Sequence, residues 1–175
     1  MELENQKNIM EEIIRIRLSQ MIINEDYKKN KFKIPIHLAL GHEAIATAVS
    51  QIMEENDKLV LSHRNVAYNL ARIGKLKPIL DEYYLKPSGL VNGKTGSMNL
   101  TNMKKGIIYS SSILGNNFSV GTGIAMGEKL RSQGGIIIVL AGDGSIEEGS
   151  FHESLLMLKS CLLYTSDAAD ERSSV

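Results

Sequence analysis

The chain has 175 residues but one cysteine, Cys161, no tryptophan, three prolines and a formal net charge of zero. A lone cysteine excludes a disulfide framework and a cysteine-rich zinc site. Charge balance without a basic block makes the chain a poor candidate for a nucleic-acid binder held by phosphate contacts. The lysine-rich stretch Lys28 to Lys33 reads as a solvated surface loop. No apolar run exceeds Ile136 to Ala141, far short of a membrane span. The first thirty residues carry acidic side chains and no apolar core of a secretory signal. The expectation is a soluble, cytoplasmic chain that binds neither membrane nor nucleic acid. A hydrophobic fraction of 43% is too high for disorder. At this length a core can be buried without disulfides or a structural metal. What the chain does have is glycine, fifteen in all and mostly after Gly89, which points to backbone contact with a ligand in that half.

Residues 4 to 24 read as an amphipathic helix with Met10, Ile13, Ile14, Leu18, Met21 and Ile22 on its apolar face. Further helices are expected over 41–54, 66–72 and 77–85, the last two split by Gly74. Asp57 to Leu61 reads as a short strand, and residues 97–117 as irregular. A helix over 119–131 would stack Ser119, Gly123 and Gly127 at intervals of four, a face open to a neighbouring backbone. Ile136 to Leu140 is continuous and β-branched, as in a strand buried on both faces of a parallel sheet. Gly142-Asp143-Gly144 follows, then a helix from about 146 to 159. Strand, glycine turn and helix make a βα unit, and ligands of such sheets sit at the carboxyl ends of the strands. The fold class is therefore α/β, a parallel sheet flanked by helices. From 161 to 175 no helical or strand period continues, and the stretch resembles translated sequencing-adapter read-through. It is taken as a non-native or disordered tail on an incomplete domain of residues 1–160.

The segment Gly142 to Gly149 is the most informative. A carboxylate at Asp143, just past a strand, can hold Mg²⁺ through oxygen. Ser145 with Glu148 three residues on has the form of a capping box, which would start a helix there and aim its N–H groups at a phosphate bridged to that metal. A plain turn with a capped helix is the competing reading. Gly89 to Thr95 falls one residue short of a P-loop and follows a helix, and Gly121 to Gly127 misses the dinucleotide fingerprint by one residue. His63-Arg64 lies at the end of an expected strand, a suitable place for an anion-binding arginine.

Taken in order, Gly41-His42-Glu43-Ala44, Ser62-His63-Arg64, Gly93-Lys94-Thr95-Gly96-Ser97-Met98, Ile113-Leu114-Gly115, Thr122-Gly123 with Ala125, and Gly142-Asp143-Gly144 with Glu148-Gly149 resemble the alpha subunit of thiamine-diphosphate-dependent 2-oxo-acid dehydrogenases. The similarity runs from about residue 9 to 159 and covers relatives that act on pyruvate, branched-chain 2-oxo acids and acetoin. It implies an incomplete thiamine-diphosphate-binding fold, truncated near residue 160. Asp143 would ligate Mg²⁺, Gly144 and Ser145 would meet the diphosphate, and Arg64 would neutralise it beside His63. Ser112 and Leu114 would fall against the aminopyrimidine ring. Thiamine diphosphate would serve as the electron sink as CO₂ leaves the 2-oxo acid. The glutamate that activates the cofactor would come from a beta subunit in a heterotetramer, so no catalytic residue is assigned to this chain and alone it should be inactive. A lipoyl acyltransferase core is the further implied partner. Asn99, Glu147 and Ser119 depart from the family's usual His, Asn and Pro, marking a divergent branch. A transketolase-like subunit moving ketol units, and a non-catalytic phosphate-binding module, are the alternatives.

Overall fold

The computed structural model describes residues 2–132 and 134–161. The expectation for residues 161–175 therefore lies, but for Cys161, outside the described residues. Among the described residues, six α-helices and three strands follow one another along the chain. Helix α1 is Glu2–Lys28 and α2 is Glu43–Ile52. Strand β1, Lys58–Ser62, leads into α3, Val66–Ile73, and α4, Lys77–Tyr83. Strand β2, Ile107–Ser111, precedes α5, Asn116–Arg131. Strand β3, Ile137–Val139, is followed by a 3₁₀ turn at Asp143–Glu147 and by α6, Gly149–Ser160.

The sheet is parallel in the order β2-β1-β3. β1 is central because Leu59, Val60 and Leu61 are apolar in succession and can be buried on both faces. Leu59 and Leu61 join Ile107 in the core that Ile16 and Ile23 of α1, Leu70 of α3, and Ile79 and Tyr83 of α4 complete. Val60 points to the opposite face, where α5 packs on β1 and β3. Helices thus cover both faces, as the α/β reading expects. Gly74 closes α3 in the left-handed conformation at φ +72°.

Four expectations change. The stripe assigned to the buried face of α1 is its outer face: Met10, Ile14, Leu18, Met21 and Ile22 are each half exposed or more. The helix instead buries Ile16, Ser19, Gln20 and Ile23. Gln20 is buried because it is satisfied: its oxygen accepts from Ala39 N at 2.7 Å and its Nε2 donates to Glu43 Oε1 at 2.9 Å. Arg17 grips the same carboxylate with Nε and Nη2 at 2.7 and 3.0 Å. Apolar periodicity misassigns the face because the polar anchors Arg17 and Gln20 share the docked side with Ile16 and Ile23.

The small face of α5 is likewise rotated. A Cβ at Gly123 or Gly127 would meet nothing within 4 Å, and Ser119 is exposed. The tight contact is Gly121 on Val139 of β3, where a Cβ would collide with Cγ2. β2 lies within the stretch read as irregular, its two isoleucines too few to show a period. Finally, β3 is half-buried rather than buried on both faces, with Ile136 at 61% exposure; among the described residues it pairs only with β1.

Candidate active site

The carboxyl ends of all three strands open into one cavity of about 400 Å³. β1 delivers Ser62, His63 and Arg64; the turn after β2 delivers Ser112, Ile113, Leu114 and Gly115; the turn after β3 delivers Gly142 to Ser145. The structure brings together every residue singled out from the sequence: His63, Arg64, Ser112, Leu114, Asp143, Gly144 and Ser145.

Each wall has a local cause. Asn65, fully buried, caps the entry to α3 and donates through Nδ2 to the carbonyls of Ser97 and Met98 at 3.0 and 2.9 Å and to Ser110 Oγ at 2.9 Å. This fixes the chain immediately after Arg64. The Arg64 side chain is exposed and donates one N–H to Leu38 O at 2.6 Å, which leaves the rest of its guanidinium for an anion. His63 is half-buried, and its ring meets that of His37 edge-on at 5.5 Å between centroids. Burial, then Arg64 and His37, push its pKa below the ordinary histidine value, so the imidazole at this wall is neutral at physiological pH. Gly115 adopts φ +73°, and a Cβ there would stand 2.6 Å from Ser150 Oγ, so only glycine turns the chain from β2 into α5.

The capping-box expectation does not hold. Ser145 N donates to Gly142 O at 3.0 Å and Glu148 N to Ser145 O at 3.3 Å, closing a 3₁₀ turn. α6 starts only at Gly149, and Glu148 caps it without a side-chain bond. Ser145 is buried inside that turn, with its carbonyl accepting from Glu148 N, so it is too far back to cap a helix that begins four residues later. The helix whose first residues line the cavity is α5, through Gly115 and Asn117. Its electropositive end faces the space that Asp143 and Arg64 also border.

The Asp143 carboxylate is exposed and has no hydrogen bond or ion pair among the described residues. No group of three or more His, Cys, Asp or Glu able to hold a metal exists among the described residues. Asp143 therefore offers a single carboxylate, and a metal here needs further ligands from a bound anion or from residues beyond those described. Two cavity residues escaped the sequence reading. His42 stood in the Gly41-His42-Glu43-Ala44 motif with no site role assigned to it, and Tyr68 gave no signal beyond its place four residues after Arg64. Tyr68 Oη lies 3.3 Å from His42 Nδ1, and burial pushes the phenol up to about 12, so it stays a neutral hydrogen-bonding group. Among the described residues, no helix is long and apolar enough to cross a membrane.

Comparison with known proteins matches residues 11–163 to the family described as Dehydrogenase E1 component. The alpha subunit of the acetoin:2,6-dichlorophenolindophenol oxidoreductase of Bacillus subtilis is 31% identical over 120 residues, 69% of this chain and 36% of that protein. The mitochondrial pyruvate dehydrogenase E1 component subunit alpha of Chaetomium thermophilum is 29% identical over 153 residues, 87% of this chain and 37% of that protein. The pyruvate dehydrogenase E1 component subunit alpha of Rickettsia bellii is 31% identical over 121 residues, 69% of this chain and 37% of that protein. The chain thus spans little more than a third of the length of these curated relatives.

Proposed function

The chain belongs to the dehydrogenase E1 component family, and from that premise we propose that it is part of the alpha subunit of a thiamine-diphosphate-dependent enzyme. Its substrate class is a 2-oxo acid, decarboxylated oxidatively, or an acetoin-type ketol, cleaved; the two activities are those named for its relatives. The observation that carries the reading is the convergence of Arg64, Asp143, Gly144, Ser145, Ser112 and Leu114 on one cavity at the carboxyl ends of three parallel strands. Transketolase-like and non-catalytic readings gain nothing from relatives that are named as E1 or acetoin oxidoreductase alpha subunits.

The donor set fits a magnesium diphosphate. Asp143 is an unpaired carboxylate, Arg64 a partly free guanidinium, and the α5 N-terminus a source of positive potential. Mg²⁺ usually takes one or two carboxylates and completes its shell with phosphate oxygens and water, which suits a single acid at this wall. We assign Asp143 to the metal, Arg64 with Gly144 and Ser145 to the diphosphate, and Ser112 with Leu114 to the aminopyrimidine. His63, propped by His37, bounds the diphosphate side of the cavity. When bound, thiamine diphosphate supplies the electron sink for decarboxylation. A beta subunit completes the site in a heterotetramer, and a lipoyl acyltransferase core is the acyl acceptor for the 2-oxo-acid reaction.

Calorimetric titration of thiamine diphosphate, with and without Mg²⁺, tests this in the full-length subunit assembled with its beta partner. Asp143→Asn is expected to abolish the gain in affinity that Mg²⁺ confers while leaving the thermal midpoint within a few degrees, because the residue sits in an exposed turn. Equal Mg²⁺-dependent affinity in both proteins would show that the Gly-Asp-Gly turn holds no metal.

A further inference from the structure

Glu82 is fully buried at the end of α4, yet among the described residues it has no cationic partner. Its carboxylate is instead wrapped by backbone. Oε2 accepts from Val91 N at 2.8 Å and Gly93 N at 2.9 Å, and Oε1 accepts from Thr95 N at 2.9 Å and Thr95 Oγ1 at 3.1 Å. Burial alone would raise its pKa; the amides of Thr95, Val91 and Gly93 outweigh that and hold it below the ordinary carboxylate value. Four donors converging on one carboxylate make an inverted anion nest, in which the protein supplies both the anion and the loop that folds around it. The loop contains no helix or strand; its own backbone bonds are single turns, Asn92 N to Gly89 O at 3.1 Å and Lys94 N to Val91 O at 3.2 Å.

The same loop runs directly into the cavity's supporting shell. Ser97, two residues past Thr95 and buried, donates to Pro35 O at 2.7 Å and lies 3.4 Å from His37 Nδ1. His37 in turn props the ring of His63. The carbonyls of Ser97 and Met98 take Nδ2 of Asn65, which follows Arg64. The contacts of Ser97 and Met98 follow from where Thr95 and Gly96 place the chain.

We propose that Glu82 is a positioning residue: its carboxylate templates the 91–95 loop so that Ser97 holds His37 against His63 and Asn65 holds Arg64 at the cofactor cavity. The proposal rests on the reading of that cavity as a thiamine diphosphate site.

Glu82→Gln keeps the shape but replaces one acceptor oxygen by an NH₂ group that must face either the amides of Val91 and Gly93 or the amide of Thr95. Three readouts separate positioning from mere loop fastening. Hydrogen exchange in the chain should speed up at the amides of Val91, Gly93 and Thr95. The imidazole NMR resonances of His37 and His63 should move. Thiamine diphosphate affinity of the assembled full-length enzyme should weaken by about tenfold, the scale of a lost charge-assisted hydrogen bond. Ser97→Ala is the second variant and remains informative if Glu82→Gln fails to fold. It should reproduce the ring shifts and the affinity loss while leaving the three amides as slow as in the parent. If the amides loosen in Glu82→Gln but the rings and the affinity stay unchanged, or if Ser97→Ala leaves the rings unmoved, the positioning role is overturned. A parent enzyme that binds no thiamine diphosphate sinks the cofactor reading instead, and the ring resonances then decide the role of Glu82 alone.

Discussion

Glu43 shows how a single carboxylate organises the approach to the cavity. It is 3% exposed and collects Arg17, Gln20 Nε2 and the amide of Gly41, the last at 2.9 Å. The Arg17 hydrogen bond is the largest influence on its carboxyl; burial opposes it, and the backbone amides help to hold the pKa below the ordinary carboxylate value. A depressed folded-state pKa means that the unfolded chain binds the proton more tightly. The stabilisation is therefore complete above the unfolded value, about 4.3, and is lost as pH falls through the lower folded value. Glu43→Gln should cost about 1–3 kcal/mol at neutral pH, the scale of buried donors left without a carboxylate. Urea unfolding of parent and variant at pH 7 and at pH 3 checks it: the gap between them should shrink in acid. A gap that ignores pH would mean that the charge contributes nothing. Gly41-His42-Glu43-Ala44 was legible as a family motif, but its physical work was not. Nothing in the sequence says that Glu43 reaches back 26 residues to clasp α1.

At the scale of elements, α5 offers a test with opposite signs on one helix. Gly121 packs on Val139 so closely that a methyl group has no room, whereas Gly123 faces open space. Gly121→Ala should destabilise by about 1–3 kcal/mol through overpacking, and Val139→Ala in the same background should recover much of that loss. Gly123→Ala should stabilise by about 0.4–1 kcal/mol, because the unfolded chain loses freedom and the helix gains a better former. Thermal unfolding of the three variants checks the signs; a stabilising Gly121→Ala would refute the close α5–β3 contact. The helix itself was readable from 119–131, and the structure extends it back to Asn116. Its packing face was not, because glycines at both 121 and 123 look alike until a neighbour is placed. The same holds for α1, where Gln20 is buried by its partners at Ala39 and Glu43 and no hydropathy pattern announces those partners. The strands β1 and β3 were legible because runs such as Leu59-Val60-Leu61 and Ile137-Ile138-Val139 have no helical alternative of that length. β2, with Ser110 and Ser111 at its end, had no such run.

Across the whole molecule, the site was legible where chemistry sits at strand ends, since parallel topology alone collects such ends on one side. Its supporting shell, Asn65, Ser97, His37 and Glu82, was not legible, because those side chains act through backbone groups distant in sequence. The cavity lining also shows what the described residues do not bring to it. Asp143 is the only carboxylate among its lining residues. Assigned to Mg²⁺, it cannot also move protons to and from the cofactor's aminopyrimidine, and Tyr68 is too weak an acid to do so near neutral pH. An activating carboxylate must then come from outside these residues, and we propose that the beta subunit supplies it. Purified alone, the chain is expected to release CO₂ from a carboxyl-labelled 2-oxo acid no faster than thiamine diphosphate does in buffer. Supplying the beta subunit to the full-length alpha subunit should raise that subunit's own rate by several orders of magnitude, the usual interval between cofactor and enzyme. Labelled CO₂ capture over matched incubations reads both arms. Turnover by this chain without a partner would place the missing acid–base group among residues of its own and overturn the division of labour proposed here.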